Sequence, residues 1–136
     1  MRKSCNCGHH MKLELRTIVF ARKVNIVSVP VFACPACGQN EVFPGVKQDV
    51  GRLVGQLGAR PDPGTIWFDE IHEWAGVLSH SLEQSESLHE SAVARAAEER
   101  TNELLDLWLI ASSLGDDEWK DELRRRLSQL NAKYIS

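Results

Sequence analysis

The sequence predicts an α+β chain: a small N-terminal ribbon with a β-hairpin, followed by an α-helical bundle of about three helices. Three observations predict it. All four cysteines fall within the first 37 of 136 residues, in two close pairs. Between the pairs the apolar residues alternate, and beyond residue 45 they recur at helical spacing. The charge divides along the same line. Residues 1–60 hold nine Lys and Arg against three Asp and Glu, whereas residues 61–136 hold seven against sixteen, giving +6 and −9 within a total of −3.

The first element is a loop, Cys5-Asn6-Cys7-Gly8, followed by His9 and His10. Met11 to Phe20 then reads as a strand that begins with strict alternation and ends in β-branched residues. Val24 to Phe32 reads as its hairpin partner, joined through Ala21-Arg22-Lys23. Pro30 has no N–H to give a ladder, which places it on an edge or at a bulge. A second loop, Cys34-Pro35-Ala36-Cys37-Gly38, closes the sheet. Residues 46–58 carry Val46, Val50, Leu53, Val54 and Leu57 at helical spacing, with Gly58 as the stop.

Arg60-Pro61-Asp62-Pro63-Gly64 is rich in turn residues and marks a boundary between residues 1–58, the ribbon with its short terminal helix, and residues 65–136, the acidic helical domain. Thr65 is a candidate cap for a helix whose inner face would be Trp67, Ile71, Trp74, Ala75 and Leu78. Residues 79–86 are polar, either loop or continued helix. A long helix is predicted from about Ser87 to Leu114, ended by Gly115. Its stretch Leu104 to Ala111 is apolar nearly all round and should be buried on several sides. That surplus also hints at a homodimer through the helical domain. Asp116 caps a last helix with Trp119, Leu123, Leu127, Leu130 and Tyr134 in one row, and Arg124, Arg125 and Lys133 opposite. Most of the four tryptophans belong, on this reading, to the bundle core.

The cysteines carry the chemistry. The polar N-terminus has no apolar core of a signal peptide, so a reducing cytosol is expected, and there cysteines clustered in two close pairs point to a metal rather than to disulfides. Two residues between cysteines let both sulfurs face one ion, and the Gly after the second Cys permits the left-handed turn that such a loop requires. One structural Zn2+ held by Cys5, Cys7, Cys34 and Cys37 is the expectation. The first loop has only one residue between its cysteines, so Cys7, His10, Cys34 and Cys37 form a rival set. Gly8 follows Cys7 as Gly38 follows Cys37, which favours the four cysteines. Four protein ligands fill the tetrahedron and make the site structural.

The stretch Asn25 to Gly38, with Pro30 shortly before the second cysteine loop and Val42-Phe43-Pro44 after it, resembles the YgiT-type zinc finger, the N-terminal module of MqsA-type antitoxins. The likeness covers about residues 5–55 and implies a zinc-stabilised protein-binding module. Those antitoxins carry a helix-turn-helix domain next, and residues 65–136 show no such pattern.

Lys12, Arg16, Arg22 and Lys23 are candidate contacts to nucleic acid or a partner protein. Four thiolates and one zinc ion add −2, so the loaded ribbon stands near +4. Arg124-Arg125-Arg126 reads as a salt-bridged surface, and His72, Glu70, Glu73, His80 and His89 as scattered surface residues. No nucleophile motif, phosphate loop or paired catalytic carboxylates occur. The sequence therefore points to a non-enzymatic, zinc-binding regulatory or adaptor protein. The alternative is a nucleic-acid-binding transcriptional regulator or antitoxin-like protein, with a small metal-dependent enzyme as a remote third. No apolar run reaches the roughly 20 residues that a membrane helix needs, and a cytoplasmic location is expected.

Overall fold

A computed structural model describes residues 2–84 and 89–130. The elements run β1 (Arg2–Ser4), β2 (His10–Phe20), β3 (Val24–Ala33), β4 (Asn40–Val42), α1 (Pro44–Leu57), β5 (Gly64–Trp67), α2 (Phe68–Ile71), α3 (Glu73–Gln84), α4 (Glu90–Leu114) and α5 (Asp117–Gln129). The class is α+β, an antiparallel hairpin sheet followed by helices. The expected positions Ser87, Lys133 and Tyr134 lie outside the described residues.

The sheet is ordered β1-β2-β3-β4, all antiparallel, and β5 adds to β3 in parallel. Met11 and Leu13 face the core while Lys12 and Arg16 face outward, as their alternation requires. The hairpin closes with Lys23 N–H donating to Phe20 C=O at 3.1 Å. Both central residues of that turn, Ala21 (φ 53°) and Arg22 (φ 60°), are left-handed. A bulge follows, in which Val27 and Ser28 oppose Thr17 alone, and Ser28 takes φ 63°.

Pro30 is not at a sheet edge, because β3 is paired on both flanks. Its missing N–H is harmless for a specific reason. β4 covers Val31 to Ala33 and β5 covers Val24 to Val27 on one flank, so Pro30 falls in the gap between them. There Phe43 N–H donates to the Pro30 carbonyl at 2.9 Å as the chain turns away into α1. β1 and β4 lie at opposite ends of the sheet order, about 14 Å apart were the sheet flat. Lys3 of β1 nevertheless reaches Glu41 of β4 at 2.6 Å. The sheet is therefore curled, which turns the two cysteine loops toward each other.

Thr65 does not cap a helix. Gly64 to Trp67 is extended and hydrogen-bonded beside β3, and the chain extends again at His72 (φ −131°, ψ 127°). These two extended stretches break the phase of the expected stripe. Trp74, Ala75 and Leu78 are fully buried, but Trp67 and Ile71 are half exposed. Trp74 packs edge-on to Phe43 (6.3 Å between centroids), joining α3 to the ribbon. Trp108 and Trp119 are only partly buried, so Trp74 alone of the four is a true core tryptophan. One buried cluster runs from Cys5 through Ile26, Val46 and Trp74 to Leu123 and Leu130, across the 60–64 connection.

The helices begin and end where their caps dictate. Pro44 opens α1, and Val46 and Val50 are buried beneath it. Gly115 (φ 67°) ends α4 with its N–H on Ser112 O, while Asp116 N–H bonds Ala111 O. Asp116 Oδ1 then accepts from Trp119 N–H at 3.0 Å and starts α5. Leu123 and Leu130 are buried and Trp119 and Leu127 half-buried, which is the expected seam. The stretch 104–111 differs from expectation. Leu104 and Ala111 are buried, but Leu105, Leu109 and Ile110 are exposed, because α3 and α5 cover only one side of α4.

Candidate metal centre

Cys5 and Cys7 lie between β1 and β2, and Cys34 and Cys37 between β3 and β4. The two loops share one hydrogen-bond plan. The glycine N–H donates to the carbonyl of the first cysteine (Gly8 to Cys5, Gly38 to Cys34, both 3.0 Å). The first cysteine's N–H donates to the carbonyl of the residue after the glycine (Cys5 to His9 at 2.8 Å, Cys34 to Gln39 at 2.9 Å). Gly8 (φ 94°) and Gly38 (φ 76°) supply the left-handed conformation that this closure needs. The first loop is the same knuckle with one residue fewer.

The sulfurs pair across the loops. Cys5 Sγ is 3.6 Å from Cys37 Sγ, and Cys7 Sγ is 3.5 Å from Cys34 Sγ. All four ligand atoms lie within 4.8 Å of one another. A tetrahedral ion with metal–sulfur bonds of about 2.3 Å requires sulfur–sulfur edges of about 3.8 Å, which this group matches. Cys5 and Cys34 are buried, Cys7 and Cys37 exposed. The group could hold one metal ion, and among the described residues it is the one such cluster of His, Cys, Asp and Glu. His10, exposed at the start of β2, is not part of it. His9 Nδ1 lies 3.6 Å from Cys7 Sγ, outside the cluster.

The electrostatics call for a cation. The N–H groups of Cys37 and Ala36, working against desolvation, lower the Cys34 thiol to about 6. His9 N–H favours the Cys7 thiolate, yet the adjacent Cys34 sulfur and desolvation outweigh it and push Cys7 up to about 12. Gln39 N–H does the same for Cys37, and the sulfurs of Cys5 and Cys34 again outweigh it and raise the thiol. Thiols this close compete for a negative charge, and a divalent ion removes the competition.

The four basic candidates do not form one patch. Lys12 and Arg16 share the outward face of β2, but Arg16 is tied to Glu14 at 2.8 Å. Arg22 and Lys23 sit in the turn at the far end of the hairpin, about 30 Å along the strand from Lys12.

Two residues read from the sequence as surface are instead internal ties. His72 is 3 % exposed. Its Nδ1 accepts from Trp74 N–H at 3.1 Å, so the ring is neutral and its Nε2–H donates to Asp49 Oδ2 at 2.7 Å. Burial lowers its pKa, against the pull of Asp49. Glu73 accepts from Arg100 (2.7 and 3.2 Å) and Arg126 (2.7 Å), tying α3 to α4 and α5. Burial opposes its ionisation, but the two guanidinium groups prevail and hold its carboxyl below the usual range. His72 and Glu73 line a cleft of about 340 Å³ with Asp69, Glu99 and Arg100. Local patterns carry no sign of these ties, which join residues 23, 27 and 53 positions apart.

No family model, curated protein or solved structure matches this chain. Among the described residues, no helix is long and apolar enough to cross a membrane.

Proposed function

We propose that this chain is a non-enzymatic zinc-binding adaptor or regulator that works through protein–protein contacts. Cys5, Cys7, Cys34 and Cys37 hold one structural Zn2+, and the ribbon is of the YgiT type. The observation that carries this reading is the closed four-sulfur cluster. Four thiolates complete the tetrahedron and leave no position for water or substrate, and an all-sulfur tetrahedral set suits zinc. The rest of the molecule supports the same reading. His72 Nε2 ties α1 to the helical half, its Nδ1 accepts locally from Trp74 N–H, and the Glu73 carboxylate ties α3 to α4 and α5, which leaves these groups no free role in acid–base chemistry. The separation of Arg22 and Lys23 from Lys12 and Arg16 weighs against a continuous phosphate-binding track.

The test is native mass spectrometry of protein purified under reducing conditions, alongside nucleic-acid binding at low and physiological salt. The adaptor reading expects one zinc per chain and only weak, sequence-independent nucleic-acid binding. Tight binding that falls steeply between about 50 and 200 mM salt, and is abolished by Arg16→Glu with Arg22→Glu, moves the chain to the nucleic-acid class. A chain that carries no metal although its four thiols are reduced overturns the zinc site itself.

A further inference from the structure

The C-terminal half of α4 carries an apolar face that has no partner among the described residues. Leu104 and Ala111 are fully buried, but Leu105, Leu109, Ile110 and Leu114 are 44 %, 59 %, 50 % and 70 % exposed. Successive helical residues are about 100° apart, so these four border one strip on the side opposite Leu104 and Ala111. Leu105 with Leu109 and Ile110 with Leu114 form two exposed apolar rows, with Asp106 and Ser113 exposed between them, and exposed apolar rows rimmed by polar residues mark an interaction surface.

The surrounding charge selects the occupant. From Ala96 to Trp119 the chain has seven acidic residues and one basic residue. All seven carboxylate side chains are exposed. The one base, Arg100, is engaged by Glu73 at 2.7 Å and by Glu103 at 2.9 Å. Asp106 stands one helical turn from both Leu109 and Ile110, within the strip. Asp116 and Asp117 lie just past Leu114. Lys120 of α5 reaches the same end of the helix, but its ammonium sits over the Trp108 ring, 5.2 Å from the centroid. A second copy docked by a two-fold axis on this strip would set one acidic rim against another, and like charges facing each other across an interface disfavour it strongly.

We infer that this face of α4 docks a cationic amphipathic helix of a partner protein. Apolar side chains at helical spacing would seat on Leu105, Leu109, Ile110 and Leu114, and flanking Lys or Arg would meet Asp106, Glu103 and Asp116. The inference supplies a partner class for the adaptor reading and rests on that reading.

The experiment is fluorescence anisotropy of the zinc-loaded full chain against two labelled amphipathic helical peptides, one of leucine and lysine, the other of leucine and glutamate. The lysine peptide is expected to bind and the glutamate peptide not. Leu109→Asn should weaken binding at least about tenfold, and Asp106→Lys several-fold. Glu83→Lys, a carboxylate 75 % exposed on α3, should leave binding unchanged. Circular dichroism and zinc content of each variant must match the parent. Absence of lysine-peptide binding, equal binding of both peptides, or an affinity untouched by Leu109→Asn overturns the inference. So does a dimer, seen by sedimentation, that Leu109→Asn dissolves, since that gives the face to a second copy. Failure of the full chain to take up zinc before the titration refutes the zinc site of the adaptor reading separately.

Discussion

Asp49 of α1 and His72, between α2 and α3, are joined by a hydrogen bond of 2.7 Å from a neutral, buried imidazole. The bond fastens α1 to the helical half, and its strength depends on His72 remaining uncharged at Nδ1, where Trp74 N–H already donates. Protonation there would set donor against donor in a buried site.

A pH dependence follows. Burial lowers the His72 pKa in the folded chain below its unfolded value of about 6.5. A lowered folded pKa gives stability that is complete above the unfolded value and declines as pH falls below it. Glu73, held below the usual carboxylate range, adds a second loss below about pH 4.5. Urea unfolding at a series of pH values should show a decline below pH 6.5 that is smaller in His72→Gln than in the parent, the difference between the two chains separating His72 from proton competition at the cysteines. The decline below about pH 4.5 should be the same in both. A His72→Gln chain that keeps the whole decline near pH 6 would assign it to another group.

Glu73 is the tie among α3, α4 and α5, with its side chain 11 % exposed. Removing one member of a buried ionic group leaves the others charged without a partner. Glu73→Ala is therefore expected to destabilise the chain by about 3 kcal/mol. Arg124→Ala breaks the exposed pair with Asp121 and should change stability by less than about 0.5 kcal/mol. Denaturant midpoints of the two variants, measured side by side, check the contrast.

Features written in local order were legible in the sequence. The hairpin showed in the alternation from Met11, the two cysteine knuckles in their cysteine and glycine spacing, and the end of α4 and start of α5 in Gly115-Asp116. β5 was not legible, because four residues joining a strand about 40 positions earlier leave no periodic signal. The row Trp67, Ile71, Trp74 mimicked a helix, since spacings of four and three arise equally in a strand followed by a short turn of helix. Exposure of Leu105 and Leu109 could not be read either, as apolarity all round a helix does not say which neighbours are present to cover it.

The hairpin turn offers a stabilising substitution. Ala21 and Arg22 both hold positive φ, which is strained for residues carrying a Cβ. A two-residue turn with positive φ at both positions favours Asn-Gly. The double change Ala21→Asn, Arg22→Gly is expected to add about 1 kcal/mol, the relief of backbone strain exceeding the extra chain entropy of glycine. A higher urea midpoint with an unchanged slope checks it. The same substitution removes one basic candidate, so unaltered partner binding would also remove Arg22 from the contact surface.

Metal removal should be felt across the whole chain. Cys5 and Cys34 belong to the same buried cluster as Trp74 and Leu123, and the Lys3–Glu41 pair spans the same curled sheet that brings the two knuckles together. A ribbon of this size has little core of its own, so an ion held by the four sulfurs would supply much of its folding free energy. Chelation, or Cys34→Ser, is expected to lower the thermal midpoint while leaving a single transition, seen alike by tryptophan fluorescence from the helical half and by far-ultraviolet dichroism. His10→Ala should leave both the metal content and the midpoint unchanged, since His10 stands outside the sulfur cluster. Two separated transitions after chelation would show that the ribbon and the helices fold independently despite their shared buried surface. A loss of metal in His10→Ala would return His10 to the ligand set in place of Cys5.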